Sequence, residues 1–395
     1  MPAVREIEAA GYRSLKTIRF PVGPLSVFVG GNGTGKTNLY RALGLLQTAA
    51  SGRLTRALAA EGGMESVLWA GTRRKGEPAR VRLSAELADE TTGHAYTYAV
   101  EVGLVSQVGG AIYGAAFALE PQVKSERLTV QAGARPVTVL DRDGPAGFVR
   151  DEEGRKRSFG TDLLPTETAL AALQDGVRFP ELQIVRQAME AWRFYHDVRT
   201  DAGSPLRHPC LAVTTPTLAS DGADLAAVFA TLAHIRGDTV DLDAAFADAF
   251  PGARLVVPQP DREARFGVIF AEYPKRIFEP SELSDGTLRY LALAGALLAY
   301  RLPPFLALNE PETSLHPDLM EPLARMISQA SKRTQVWLVT HSEHLAAAVA
   351  EAGGVRPRLV LKRDGATWID GLRLAGNFFA GRGGRVRCGS RFRPC

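Results

Sequence analysis

The chain has 395 residues, 45% hydrophobic and 23% charged, enough apolar material for a large core and for one to three domains. Its longest apolar runs, such as 291–300, fall well short of the roughly 20 residues of a membrane-spanning helix, and acids stand where a signal sequence would be apolar, so a cytoplasmic protein with no membrane role is expected. Three cysteines without a partner Cys or His at zinc-ligand spacing exclude a disulfide framework, and the net charge of +4 rests on six arginines within 373–395 that leave the rest of the chain at −2.

Residues 1–78 read as an N-terminal lobe. The short strands VREIEA, TIRF and LSVFV are separated by turns, and the last runs into Gly30-Gly31-Asn32-Gly33-Thr34-Gly35-Lys36-Thr37, which fits G-x-x-x-x-G-K-[ST]. A helix with Leu39, Leu43 and Leu46 on one face follows. In that setting the glycines let backbone N–H groups turn toward phosphate oxygens, Lys36 reaches the β- and γ-phosphates, and the Thr37 hydroxyl is placed for Mg²⁺. An ordinary glycine-rich turn with an exposed lysine is the competing reading, disfavoured because strand, loop and helix are in register.

From 79 to 160 the pattern has period two: Val81, Leu83, Ala85 and Leu87, then Tyr96, Tyr98, Val100 and Val102, predicting an antiparallel β subdomain. Residues 161–250 read as a helical insertion, clearest after Asp221, where Leu225, Val228, Phe229, Leu232 and Ile235 recur at helical spacing without sustained heptads. Strands and helices alternate over 251–372, with RLVV, FGVIF, FLALN, QVWLV and RLVLK as strands, predicting a partly parallel sheet. The basic tail 373–395 is read as disordered, with phosphate binding to nucleic acid as the alternative.

The C-terminal lobe holds the second group of chemical residues. Strand 305–309 ends in Asn309-Glu310, where Glu310 would orient an attacking water; a helix-capping carboxylate is the competing role. About thirty residues on, strand 336–339 ends in Thr340-His341-Ser342, and a histidine at such a tip can sense a γ-phosphate oxygen. His341 and His344 make an H-x-x-H spacing with no third ligand, so no metal site is read there. Ser284-Asp285-Gly286 opens an apolar helix and serves either as a cap or, through free N–H groups, as a phosphate-binding turn.

In this order the motifs resemble the ABC-type ATPase superfamily, in its RecF, SMC and OLD-like branch of stand-alone "AAA family" predicted ATPases. GGNGTGKTN, ending at Asn38, is similar to that branch's Walker A, LSDGT to its signature, LALNEPETSLHP to its Walker B and D-loop, VTHS to its switch histidine, and GYRSLKTIRF to the strand before Walker A. The resemblance implies an α/β P-loop head with an antiparallel β subdomain and an inserted helical lid. It implies ATP with Mg²⁺, an ATP-sandwiched homodimer and a switch function in DNA repair, DNA maintenance or phage defence. Lys36, Thr37 and Asn38 would serve the nucleotide in cis, with Arg13 approaching from the first strand. Ser284 and Gly286 would cap the γ-phosphate held by the other subunit, and Ser314 and Leu315 would lie along the seam.

Two departures from that pattern stand out. Asn309 replaces the usual Walker B aspartate as the candidate metal residue beside Thr37, and Asp285 and Thr287 stand where transporter ATPases have Gly and Gln. No Q-loop glutamine stands out, with Gln107 and Gln122 among the candidates. Only 54 residues follow His341, too few for a Toprim nuclease, and no HNH-like histidine array is present, so a partner effector, a nuclease among the options, is expected, with DNA as a further candidate. A non-hydrolysing nucleotide-binding scaffold is the alternative that Asn309 raises. A transporter ATPase subunit is disfavoured by the roughly 245 residues between Walker A and signature.

Overall fold

The structure, a computed structural model, describes residues 1–372 apart from 74, 75, 77, 105, 106, 109, 110, 113–116, 118, 161, 162 and 197. The side chains of 107, 108, 111 and 112 and the arginine-rich segment 373–395 thus lie outside the described residues.

A hairpin of β1 (Ala3–Tyr12) and β2 (Leu15–Pro21) precedes β3 (Leu25–Val29), which leads through the glycine loop into α1 (Lys36–Ala50). Leu39, Leu43 and Leu46 of α1 are all buried, as their spacing requires. Then follow β4 (Arg80–Asp89), β5 (His94–Gly103), β6 (Gln122–Gln131), β7 (Val137–Asp143), β8 (Ala146–Arg150) and β9 (Lys156–Phe159). With the first hairpin they form one antiparallel sheet in the order β9-β8-β7-β6-β5-β4-β1-β2. The alternating residues of β4 and β5 all face the core, with Leu87 opposite Tyr96 and Leu83 opposite Val100.

The second sheet is built from distant parts of the chain. After α2 (Pro180–Glu190) comes the short strand β10 (Arg193–Tyr195), and after α3 (Leu225–Ala230) and α4 (Asp285–Leu298) comes β11 (Phe305–Asn309). The remaining elements are α5 (Met320–Ser331), β12 (Gln335–Thr340), α6 (Glu343–Gly353), β13 (Arg358–Arg363) and β14 (Ala366–Ile369). Their order is β10-β11-β12-β3-β13-β14, parallel from β10 to β13 and antiparallel only at the last pair.

Each central strand of this sheet is buried on both faces, which is why 305–308 and 336–339 are continuously apolar rather than alternating. Phe305, Ala307, Trp337 and Val339 join α1 and the antiparallel sheet in one core, where the Trp337 ring lies 4.4 Å from Phe28 and 5.2 Å from Phe20. Leu306, Leu308, Val336 and Leu338 point the other way, onto the leucines and alanines of α4, α5 and α6.

Three sequence expectations are corrected in detail. The segment 161–250 is not helical throughout, because β10 lies within it and pairs in parallel with β11; three residues are too few to show a period. The strands at Arg254–Val256 and Gly267–Ile269 pair with each other and stay outside the parallel sheet. Asp221 does not cap the helix after it: its side chain accepts from the Ala223 N–H, and α3 starts only after Asp224.

Candidate functional site

The glycine loop leaves the C-terminal end of β3 and is held from three sides. Lys36 is buried and donates to the carbonyls of Gly30 and Gly31 at 2.6 and 2.7 Å, so in this state its ammonium fastens the loop it belongs to. The Thr34 hydroxyl closes the turn onto the Gly31 carbonyl. Asn38 donates to the Ser14 hydroxyl at 2.7 Å, Ser14 bonds Thr367 of β14 at 2.6 Å, and Thr367 donates to the Thr34 carbonyl. Gly35 sits at φ 94° inside this network, where a β-carbon would fall 1.9 Å from the Thr367 hydroxyl. Asn32 and Gly33 are exposed at the loop tip, and Thr37 lies in the first turn of α1.

The neighbouring strands bring the second group to the same edge. Thr340 pairs with Val29 and Asn309 with Val339, so the ends of β11, β12 and β3 lie side by side and present Asn309-Glu310, His341 and Gly30 along one border, the usual place for ligands of a parallel sheet. Glu310 has φ 50°, a left-handed conformation rare outside glycine, and its carboxylate stands 3.8 Å from His341 Nδ1. Burial lowers the pKa of Lys36, while the carboxylates of Glu310 and Glu312 oppose the shift. An incoming anion would likewise favour the charged lysine.

Glu312 received no role from the sequence, yet it organises this edge. Its Oε1 accepts from the Thr340 hydroxyl, from the backbone N–H of His341 at 2.9 Å and from that of Ser342 at 3.2 Å, and lies 3.1 Å from His341 Nδ1. It thereby fixes the tip that carries the histidine. Its partners lie 28 to 30 residues away, so the only trace in the sequence is a second acid close after Glu310.

His196 is the other residue that sequence reasoning missed. Tyr195 pairs with Leu308, so the next residue of each strand, His196 and Asn309, come together: the Asn309 amide donates to His196 Nδ1 at 2.7 Å. A histidine therefore stands beside Asn309, and neither glutamine named from the sequence is shown there. Gln122 instead accepts from Lys124 on the antiparallel sheet, and the side chain of Gln107 is outside the described residues.

The residues fit a metal-bound triphosphate. Asn309 is 1% exposed and its Oδ1 has no hydrogen-bond partner, a costly state for a buried acceptor unless something approaches it. Thr37 and Asn309 are the side chains that would hold Mg²⁺, directly or through water, and the ion would neutralise charge on the phosphate oxygens. Among the described residues there is no separate cluster of three or more His, Cys, Asp or Glu for a metal.

Two further expected groups are engaged in contacts of their own, although Arg289, on the helix that Ser284 opens, donates to the Glu310 carbonyl at 3.4 Å. Ser284 caps α4, its hydroxyl accepting from the Thr287 N–H at 3.2 Å. Gly286 packs on the D-loop, where a β-carbon would stand 2.8 Å from the Ser314 carbonyl, so signature and D-loop form one surface unit. Arg13, at φ 48°, directs its guanidinium to Glu61, with bonds of 3.0 and 2.8 Å.

A family model described as "AAA domain, putative AbiEii toxin, Type IV TA system" matches residues 176–347, a stretch that includes the signature turn, β11 and His341 but not the glycine loop. Among solved structures the chain is similar to an SmcHead bound to the C-winged helix domain of ScpA, at 17% identity and TM-score 0.53, covering 95% of this chain and 99% of that one. It is also similar to an Smc head domain with an extended coiled coil bound to the C-terminal domain of ScpA, derived from Pyrococcus furiosus, at 15% identity and TM-score 0.51, covering 95% and 97%. At these identities the likeness is one of fold. None of the curated proteins matches the chain. Among the described residues no helix is long and apolar enough to cross a membrane.

Proposed function

With the fold of an ABC/SMC-type P-loop ATPase head as the premise, we propose that this chain binds ATP with Mg²⁺ at the glycine loop, pairs head to head with a second copy around two nucleotides, and separates after hydrolysis. The observation that carries this reading is the border where Lys36, Asn309, Glu310 and His341 meet at the ends of adjacent parallel strands.

Each residue then has a stated task. Lys36 exchanges its two loop carbonyls for β- and γ-phosphate oxygens, gaining charged partners for neutral ones. Glu310 accepts a hydrogen bond from the attacking water and turns it toward the γ-phosphorus. His341, oriented by Glu312, donates to a γ-phosphate oxygen and so distinguishes ATP from ADP. The partner's nucleotide is met by Ser284 and by the N–H groups opening α4, whose dipole favours anions. Two γ-phosphates, each gripped by both heads, supply the binding energy that hydrolysis removes.

The output of such a switch lies in another molecule. The matched family's description names a toxin of a Type IV TA system, and the Smc heads of similar fold are bound to ScpA. These support a head that works beside an effector in defence or DNA maintenance, within the cytoplasm.

Glu310→Gln tests the catalytic assignment. The variant is expected to bind ATP like the native chain and to lose hydrolysis by about 100-fold or more. A second reading, a scaffold that binds nucleotide without turning it over, is favoured by the amide at Asn309, and a native chain with no turnover above Glu310→Gln would establish it.

A further inference from the structure

Arg207 lies on a one-turn segment 73 to 78 residues before the signature turn in sequence, yet its guanidinium is spent almost entirely on that turn. Its Nη1 donates to the carbonyls of Pro280, Ser281 and Leu283 at 3.1, 3.2 and 2.8 Å, and its Nη2 meets Asp285 Oδ1 at 2.7 Å. Nε donates to Thr200, tying the group back to its own segment. The side chain is 12% exposed, whereas Asp285 is 58% exposed. A planar, five-donor group matched to three carbonyls and a carboxylate is a rigid clamp that lysine cannot copy.

We propose that Arg207 is a positioning residue for the composite ATP site, holding the 280–285 turn so that Ser284 and the start of α4 are set for the nucleotide of the partner head. The inference rests on the dimer reading above. Leu283 and Asp285, two of its anchors, flank Ser284 directly, and Gly286 one residue on is packed against Ser314. The turn is therefore gripped on one side by Arg207 and on the other by the D-loop.

A residue that merely stabilises the fold and one that prepares a surface for the partner differ in a mixing experiment with full-length chains. Arg207→Ala is expected to bind a fluorescent ATP analogue within about twofold of native, because its own glycine loop is intact, while turnover falls about 10-fold or more. Arg207→Lys is expected to recover only part of it. Lys36→Ala is expected to be inactive for the opposite reason, keeping its signature turn but not its nucleotide. A mixture of Arg207→Ala and Lys36→Ala then contains dimers with one complete site, and turnover should rise severalfold above either variant alone. Unchanged turnover in Arg207→Ala overturns the assignment, as does loss of its nucleotide affinity. So does a mixture that stays inactive while Ser284→Arg with Lys36→Ala regains turnover. If neither mixture regains it, the composite site is absent and the assignment falls together with the dimer reading.

Discussion

On the proposed reading, the Asn309 side chain decides how strongly nucleotide binding would depend on Mg²⁺. An amide oxygen offers a dipole where a carboxylate would offer a charge, and its nitrogen is already committed to His196. Asn309→Asp places a full negative charge beside a dication in a poorly hydrated border, so the attraction outweighs the cost of burial once nucleotide and metal are bound. Mg²⁺ titration of fluorescent-nucleotide binding is expected to show about tenfold tighter metal dependence in the variant. Equal midpoints for the two chains would mean that Asn309 does not face the ion. The loop was legible in advance because its signal is local: Lys36 follows the glycines that its ammonium binds. His196 was not, since its partner is 113 residues away and a three-residue strand carries no pattern.

At the scale of elements, a buried ionic contact inside the antiparallel sheet also holds the segment at 169–170. Glu126 on β6 and Arg142 on β7 are both fully buried with 3.8 Å between them. Glu126 also accepts from the Tyr98 hydroxyl and from the N–H groups of Ala169 and Leu170, and Arg142 donates to three carbonyls. Burial raises the Glu126 pKa despite these bonds, so the pair is held by geometry rather than by abundant solvation. Glu126→Ala leaves the guanidinium uncompensated and strands two amides, and is expected to cost about 3 kcal/mol, read as a lowered urea midpoint. A change under about 0.5 kcal/mol would contradict the account. Period two revealed these strands, because one face is buried and the other is wet. It did not reveal that β1 and β2 join them, since sheet partners are chosen by long-range packing that a short alternating run does not encode.

For the whole molecule, the order of motifs along the chain told which fold to expect, while the sheet order explains why they meet. β3 carries the glycine loop, and it is inserted between β12 and β13, although more than 300 residues separate their sequences. The turn at 284–286, by contrast, packs against Ser314 rather than joining the strand ends. What a second copy contributes was expected from resemblance alone, because a surface patch has no periodicity and its complement is in another molecule. The most direct measurement is the solution mass of Glu310→Gln by light scattering, with ATP and Mg²⁺ and again with ADP. The account predicts a species of twice the chain mass with ATP that reverts to one chain with ADP or when Ser284→Arg is added. A mass that is the same in both nucleotides would contradict it.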